Sequence, residues 1–314
     1  DFTIGRALVT ASIVLRDQPQ GVADAQVADM RYGPTVIDSA RAKVNYAGGH
    51  GTAQAVLTGS NGVPFRVAAN ARLAPGDWLV ALTGQANGIG FKTGNPAHIA
   101  VVKGGYRLDP TLIVFDKGRA RIAGNYGDRL VAQARLDSLD LSILNAFVPD
   151  VGLGGQATGS LEFSQAGAHF PEADARLTIK NFTRSSLAAV SEPVDVEFAG
   201  RLAGDGGEAR ALVKRGTMTV GRMVATLRPV PGGDGSWMTR LMQAPLGGGI
   251  RYNGPSGVLF SFAGLANQQL SGPIAVAADF GGRLAAPQLN GLARADNLTY
   301  DNETYGTRLT QMQL

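Results

Sequence analysis

The sequence contains no cysteine, only three histidines, and charged residues at just 17% of its 314 positions. Without thiols there can be no disulfide, no thiolate metal ligand and no cysteine nucleophile. The compartment stays open on that ground, although an oxidising one is compatible. No window approaches ~18 uninterrupted apolar residues, so no membrane-spanning helix is expected. The chain starts at Asp1, with neither a basic stretch nor an apolar one behind it, which suggests a piece of a longer protein. The net charge of +4 is small and no dense Lys/Arg block exists, so nucleic acid is not an expected partner.

Glycine, by contrast, is abundant: 43 residues, about twice the usual ~7%, without the period of collagen. A hydrophobic fraction of 44% is near the globular average and argues against wholesale disorder. Apolar and polar residues alternate strictly in many segments. Ala42, Val44 and Tyr46 alternate with Arg41, Lys43 and Asn45, and Phe65, Val67, Ala69, Ala71 and Leu73 with Arg66, Asn70 and Arg72. Leu130, Ala132, Ala134 and Leu136 oppose Arg129, Gln133, Arg135 and Asp137. Ala175, Leu177 and Ile179 oppose Asp174, Arg176, Thr178 and Lys180, while Val194, Val196 and Phe198 oppose Asp195 and Glu197. A period of two places each set on one face of a strand.

Turn signals punctuate these runs: Gly48-Gly49, Asn61-Gly62, Pro75-Gly76-Asp77, Asn87-Gly88, Gly104-Gly105, Asp205-Gly206-Gly207 and Gly232-Gly233-Asp234-Gly235. Many short strands with such turns can close as a sandwich or barrel. One unvarying texture over the whole length favours a quasi-one-dimensional stack, an all-β solenoid in a single segment spanning 1–314. Only two segments read as helix. The first lies near 139–148, with Leu141, Leu144 and Val148 at helical spacing and Pro149 as its stop. The second lies near 236–243, ahead of Pro245. Each is short enough to be a plug for the sheet's apolar face.

The chain also repeats itself. Gly155 to Phe163 leads to Pro171 and an alternating run ending Asn181-Phe182-Thr183; Gly272 to Phe280 leads to Pro287 and a run ending Asn297-Leu298-Thr299. The units fall at about 139–183 and 270–299, and a repeated strand pair implies stacked rungs, each covering its apolar face against its neighbours. The stretch from Leu139 to Leu161 resembles a recurrent unit of the TamB family, the inner-membrane subunit of the translocation and assembly module of Gram-negative envelopes. So does the stretch from Leu270 to Gly291, with Asn297 to Thr307 after it. The likeness is clearest over about 120–314.

The resemblance implies a periplasmic, U-shaped β-groove related to AsmA-like and bridge-like lipid-transfer proteins. It also implies a parent anchored in the inner membrane, with an Omp85-type outer-membrane partner like TamA. The groove residues would be Leu130, Ala132, Ala134, Leu136, Ala175, Leu177, Ile179, Val194, Val196 and Phe198.

Enzymatic chemistry is not legible. His50, His98 and His169 are far apart in sequence, with no metal-ligand spacing. Gly88-Ile-Gly90 has Thr93 where a dinucleotide fingerprint needs glycine, and Gly152 to Ala157 matches a looser form between strands. Neither a phosphate-loop Gly-Lys-Ser/Thr nor a Gly-x-Ser-x-Gly elbow occurs. Asp195 and Glu197 read as a solvated face, and the triplets at Asn181, Asn297 and Asn302 imply glycosylation only in a eukaryotic secretory route. Arg119, Arg121, Arg129 and Arg135 make a mildly basic stretch that serves solubility, with anionic headgroups as a lesser reading.

The expectation is therefore a non-catalytic conduit, needing no cofactor and no metal, for phospholipid acyl chains. Small inward residues such as Ala132, Ala134, Ala209, Ala211, Ala293 and Ala295 leave width for a guest. At ~0.8 kcal/mol per CH₂, a chain of about 16 carbons gains on the order of 10 kcal/mol on leaving water. A charge on the floor, as in Val196→Asp or Leu177→Arg, is expected to block passage in a stack that stays folded. Outer-face changes such as Asp195→Lys are expected to be near neutral. The rival reading is a scaffold or chaperone that templates outer-membrane β-strands on free sheet edges. A polysaccharide-processing β-helix would need an acidic cluster on one face, which is not seen.

Overall fold

A computed structural model describes residues 2–14, 20–146, 152–167, 169–185, 190–204, 206–228, 236–263, 265 and 267–314. Contacts divide the chain into two compact units, Asp1–Val151 and Gly152–Leu314. Strand dominates both, as the alternation requires, and every laddered pair is antiparallel.

The first unit is a ladder of eleven strands among the described residues: β1 (Phe2–Val14), β2 (Gln20–Tyr32), β3 (Thr35–Ala47), β4 (His50–Asn61), β5 (Val63–Ala74), β6 (Asp77–Ala86), β7 (Ile89–Thr93), β8 (Ala97–Val102), β9 (Gly105–Phe115), β10 (Arg119–Tyr126) and β11 (Arg129–Asp140). Successive strands pair through tight hairpins. At the β6–β7 turn Asn87 and Gly88 both take positive φ, 52° and 72°, as a type I′ turn requires. One rung is broken. β7 pairs with the far half of β6 and β8 with its near half, and β9 then pairs with both.

The register makes one continuous apolar face. Ala25, Ala42, Ala55, Ala69 and Leu82 stand side by side on five successive strands. At one place the face is plugged by the segment expected to be helical near 139–148. Its first two residues, Leu139 and Asp140, instead end β11, and Leu141–Ala146 is a 3₁₀ helix; Val148 and Pro149 lie outside the described residues. Ile143 is buried there with Ala86, against Phe65, Phe91 and Phe115. Asn87 Nδ2 donates to the Ser142 carbonyl at 3.1 Å and pins the plug to the β6–β7 turn.

Among the described residues the second unit ladders eight strands: β12 (Leu153–Ala166), β13 (Glu172–Arg184), β14 (Val194–Ala203), β15 (Gly206–Arg215), β16 (Met218–Leu227), β17 (Leu246–Pro255), β19 (Pro273–Arg283) and β20 (Ala286–Arg294). A separate three-stranded sheet consists of β18 (Gln268–Ser271), β21 (Leu298–Asn302) and β22 (Thr307–Met312). The sequence repeat maps onto two hairpins, β12–β13 and β19–β20. Asn181 and Asn297, which end the two repeat units, both have positive φ, 51° and 61°. At Asn181 the kink shifts the register between Ile179 and Phe182, which returns Phe182 to the apolar side opposite Val194.

Two short α-helices join this unit. The first, α1 (Trp237–Met242), lies where expected. Its N-cap Ser236 accepts the Thr239 N–H, and the glycine-rich 232–235 before it is outside the described residues. The second, α2 (Ser256–Ser261), was not expected, because Gly-Pro-Ser-Gly reads locally as a turn. Burial explains it. Val258 is 1% exposed and seals a core with Val194, Val220 and Tyr252. The Tyr252 hydroxyl donates to the Pro255 carbonyl at 2.7 Å, and burial pushes its pKa up.

Candidate functional site: an apolar face with a roofed cavity

In the second unit the cross-strand register assembles the face that alternation assigned strand by strand. Leu177, Phe198, Ala211, Met223, Ile250 and Ala278 form one row across six strands. Ile179, Val196, Val213, Gly221, Tyr252 and Val276 form the next. Ala175, Gly200, Ala209, Ala225 and Gly248 form a run of glycine and alanine in a third, bounded by Leu161 on β12 and Phe280 on β19. Six of the expected groove residues, Ala175, Leu177, Ile179, Val194, Val196 and Phe198, are thus gathered on one face.

The first unit holds the other four. Ala132, Ala134 and Leu136 lie opposite Gly124, Ile122 and Ala120, which places them on that unit's apolar side. Leu130 and Ala132 are exposed, and Ala134 and Leu136 half-buried.

Charges hold the opposite face. Lys180 Nζ is 2.7 Å from Asp195 Oδ2, Lys214 pairs with Glu197, and Arg251 is 2.8 Å from Asp279. Lys180 and the Asn181 N–H, in that order, hold the Asp195 carboxyl below its ordinary range. Asp195 and Glu197 therefore face away from the apolar rows as expected, but in ion pairs. Substitution of Asp195 by lysine would break two contacts and leave Lys180 beside a second cation, so it is not a neutral control.

Val196 needs a similar correction. It packs against the buried Val194, Val220, Tyr252 and Val258, so an aspartate there would disrupt a core as well as charge a floor. The open part of the face lies elsewhere. Phe198 and Ala175 line a cavity of about 360 Å³, together with Ala209, Ala225, Leu202 and Leu227. Its roof includes Leu241 of α1 and Leu284 of the β19–β20 turn. Gly200 sits under it, and a Cβ there would lie 2.9 Å from the Phe198 ring. The glycine thus lets that ring lie down as a wall. Neither Ala225 nor Leu227 was singled out from sequence, although their alternation with Val224 and Thr226 was the available signal.

The polar face of the first unit carries one compact cluster. His98 Nδ1 is 2.5 Å from Asp109 Oδ2 and its Nε2 bonds Asp77, while Arg107 Nε donates to Asp109 at 2.9 Å. Asp109 first and Asp77 second raise the imidazole pKa; His98 first and Arg107 second lower that of Asp109. The two carboxylates grip opposite ring nitrogens, so they do not converge on a common point. Among the described residues no group of three His, Cys, Asp or Glu side chains is placed to hold a metal ion. The cluster instead ties the short β8 of the broken rung to β6 and β9.

No described helix is long and apolar enough to cross a membrane. Comparison with protein-family models, with curated proteins and with solved structures finds no match.

Proposed function

We propose that this chain is a TamB-like periplasmic segment whose sheets form hydrophobic troughs that conduct phospholipid acyl chains between membranes. The observation that carries this reading is the roofed, apolar cavity on a continuous apolar face whose reverse is laced with ion pairs. A sheet of this kind must cover one face, and a cavity at the lower end of the ligand-pocket range of roughly 300–1,000 Å³ is room that side chains leave unfilled. Several large apolar residues on or beside the same face remain accessible, among them Leu161, Ile250 and Leu289 at 36%, 36% and 69%. Transfer of hydrocarbon from water into such a trough is favourable by ~0.8 kcal/mol per CH₂, and no bond is made or broken. On this reading the parent protein, anchored in the inner membrane, would deliver lipid toward an Omp85-type partner, and the U-shaped curvature would keep headgroups in water.

Native mass spectrometry of the purified chain tests this. Bound phospholipid released only on activation is expected; protein that remains lipid-free after exposure to phospholipid vesicles would refute the conduit.

A second reading, a scaffold for outer-membrane β-strands, has its own observation. Every residue of β1 from Thr3 to Val14 is exposed, with Leu8, Val9 and Ile13 at 60–68%, and among the described residues its register is to β2 alone. Such an edge can accept an added strand. Crosslinking from Leu8 to an unfolded outer-membrane protein, without lipid in the native spectrum, would favour it.

A further inference from the structure

The helix α1 is a strap fixed at both ends. At one end Trp237 packs on Phe163 of β12, ring centroids 6.2 Å apart, and the Arg240 guanidinium lies 4.7 Å over the Phe170 ring. At the other, Gln243 Oε1 accepts from Arg283 Nη1 at 2.6 Å. The Ala244 and Met242 carbonyls accept from the Leu284 and Ala285 N–H groups at 3.1 and 2.8 Å. The strap therefore ties β12 to the β19–β20 turn, and Leu241, one turn beyond Trp237, faces the cavity. Below it Ala175, Gly200, Ala209 and Ala225 are adjacent across four strands, a furrow of about 14 Å at ~4.8 Å per strand. Leu202 and Leu227 wall one side and Phe198 the other. The furrow crosses the strands, so it runs along the stack.

Resting on the conduit reading, we propose that this cavity is a seat that holds one hydrocarbon chain at a time beneath α1. The volume, one small-residue row wide, fits a single chain better than the paired chains of a whole lipid. The lining offers such a chain almost nothing polar; Arg201 and Glu208, facing each other at the β14–β15 hairpin end, are its charged members. Passage through this unit is then capture and release at a defined place. A featureless trough would instead allow free sliding.

The test uses the full chain carrying Trp78→Phe, which leaves Trp237 as the only indole, since the sequence has two tryptophans. The probe is a long-chain fatty acid brominated at mid-chain. Saturable quenching of Trp237 is expected. Ala209→Leu and Ala225→Leu should each weaken it by about tenfold, the effect of excluding some two methylenes, with an unchanged strand spectrum. Gln54→Leu, on the exposed polar face of the first unit, should not alter it. Quenching that survives both fillers, or that is absent while native mass spectrometry still finds phospholipid, overturns the seat and leaves the conduit standing. Absence of both quenching and lipid overturns the two together. Should the leucine variants lose their strand spectrum, Ala209→Val and the quenching of the unfilled protein decide by the same criterion.

Discussion

The two units share one local texture and use it differently. In the first, the apolar rows are rich in alanine, and a single 3₁₀ turn, Leu141–Ala146, buries Ile143 over Ala86. In the second, two α-helices sit on the apolar face, one sealing a core around Val258 and the other spanning a cavity. Both sheets solve the same problem, since a face of period two cannot be left wholly to water. The contrast shows that a few residues between strands decide whether such a face becomes core or container.

That contrast can be broken most sharply at Val258. Val258→Asp places an unpaired carboxylate among Val194, Val220 and Tyr252 and should cost at least about 3 kcal/mol. Urea melts with hydrogen exchange should show lost protection in β14–β17 and β19, and unchanged protection in β2–β6. Uniform loss across both units would show that they are not separately stabilised. In the first unit the equivalent lever is smaller. Ile143→Ala, at a position 5% exposed, should cost about 2–3 kcal/mol, with protection lost first around Phe65, Phe91 and Phe115. A cost below 1 kcal/mol would mean the 3₁₀ plug is ornamental.

An effect of opposite sign is expected at Ser256. The residue is 1% exposed and its hydroxyl has no hydrogen-bond partner among the described residues, so Ser256→Ala should stabilise the second unit by about 1 kcal/mol. Destabilisation in a melt would reveal a partner for that oxygen.

The smallest effect sharpens the comparison through pH, because the His98 cluster belongs to the first unit alone. A histidine whose folded pKa is raised contributes stability that is fully present below its unfolded value, near 6.5, and fades as pH rises through the folded value. Asp109, held low by His98 and then Arg107, acts in the other direction. Its contribution is present above the ordinary carboxylate value near 3.8 and is lost as pH falls through its lowered one. The cluster should therefore help between those limits. His98→Gln should lower the melting temperature near pH 5.5 and do so less at pH 9, with solvent screening keeping the shift small. A difference that grows with pH would contradict the doubly bonded imidazolium.

Much of this was legible residue by residue. Alternation gave the strands and the correct side for Ala175, Leu177, Ile179, Val194, Val196 and Phe198, because a period of two is a local property of the backbone. It gave the hairpins too: Asn87-Gly88 can hardly do otherwise than turn. The helix near 139–148 was legible over 141–146, where it takes the 3₁₀ form, since a plug of one to two turns can close with either hydrogen-bond pattern. The helix at 256–261 was illegible. Six residues with a glycine second carry no period, and only the pocket around Val258 makes them helical.

The sequence by itself determined an all-β protein with one greasy and one charged face to each strand, and a strand pair that recurs along the chain. Only the tertiary structure decided which residues of different strands became neighbours. Ala175, Gly200, Ala209 and Ala225 are up to 50 positions apart, and a slip of one residue in any pairing would turn a whole strand's set to the other side. The cavity exists because that register aligns three alanines and a glycine between Leu202 and Leu227 on one side and Phe198 on the other, and because α1 is tied down at both ends above them. Both conditions are sums over distant contacts, which no local window contains.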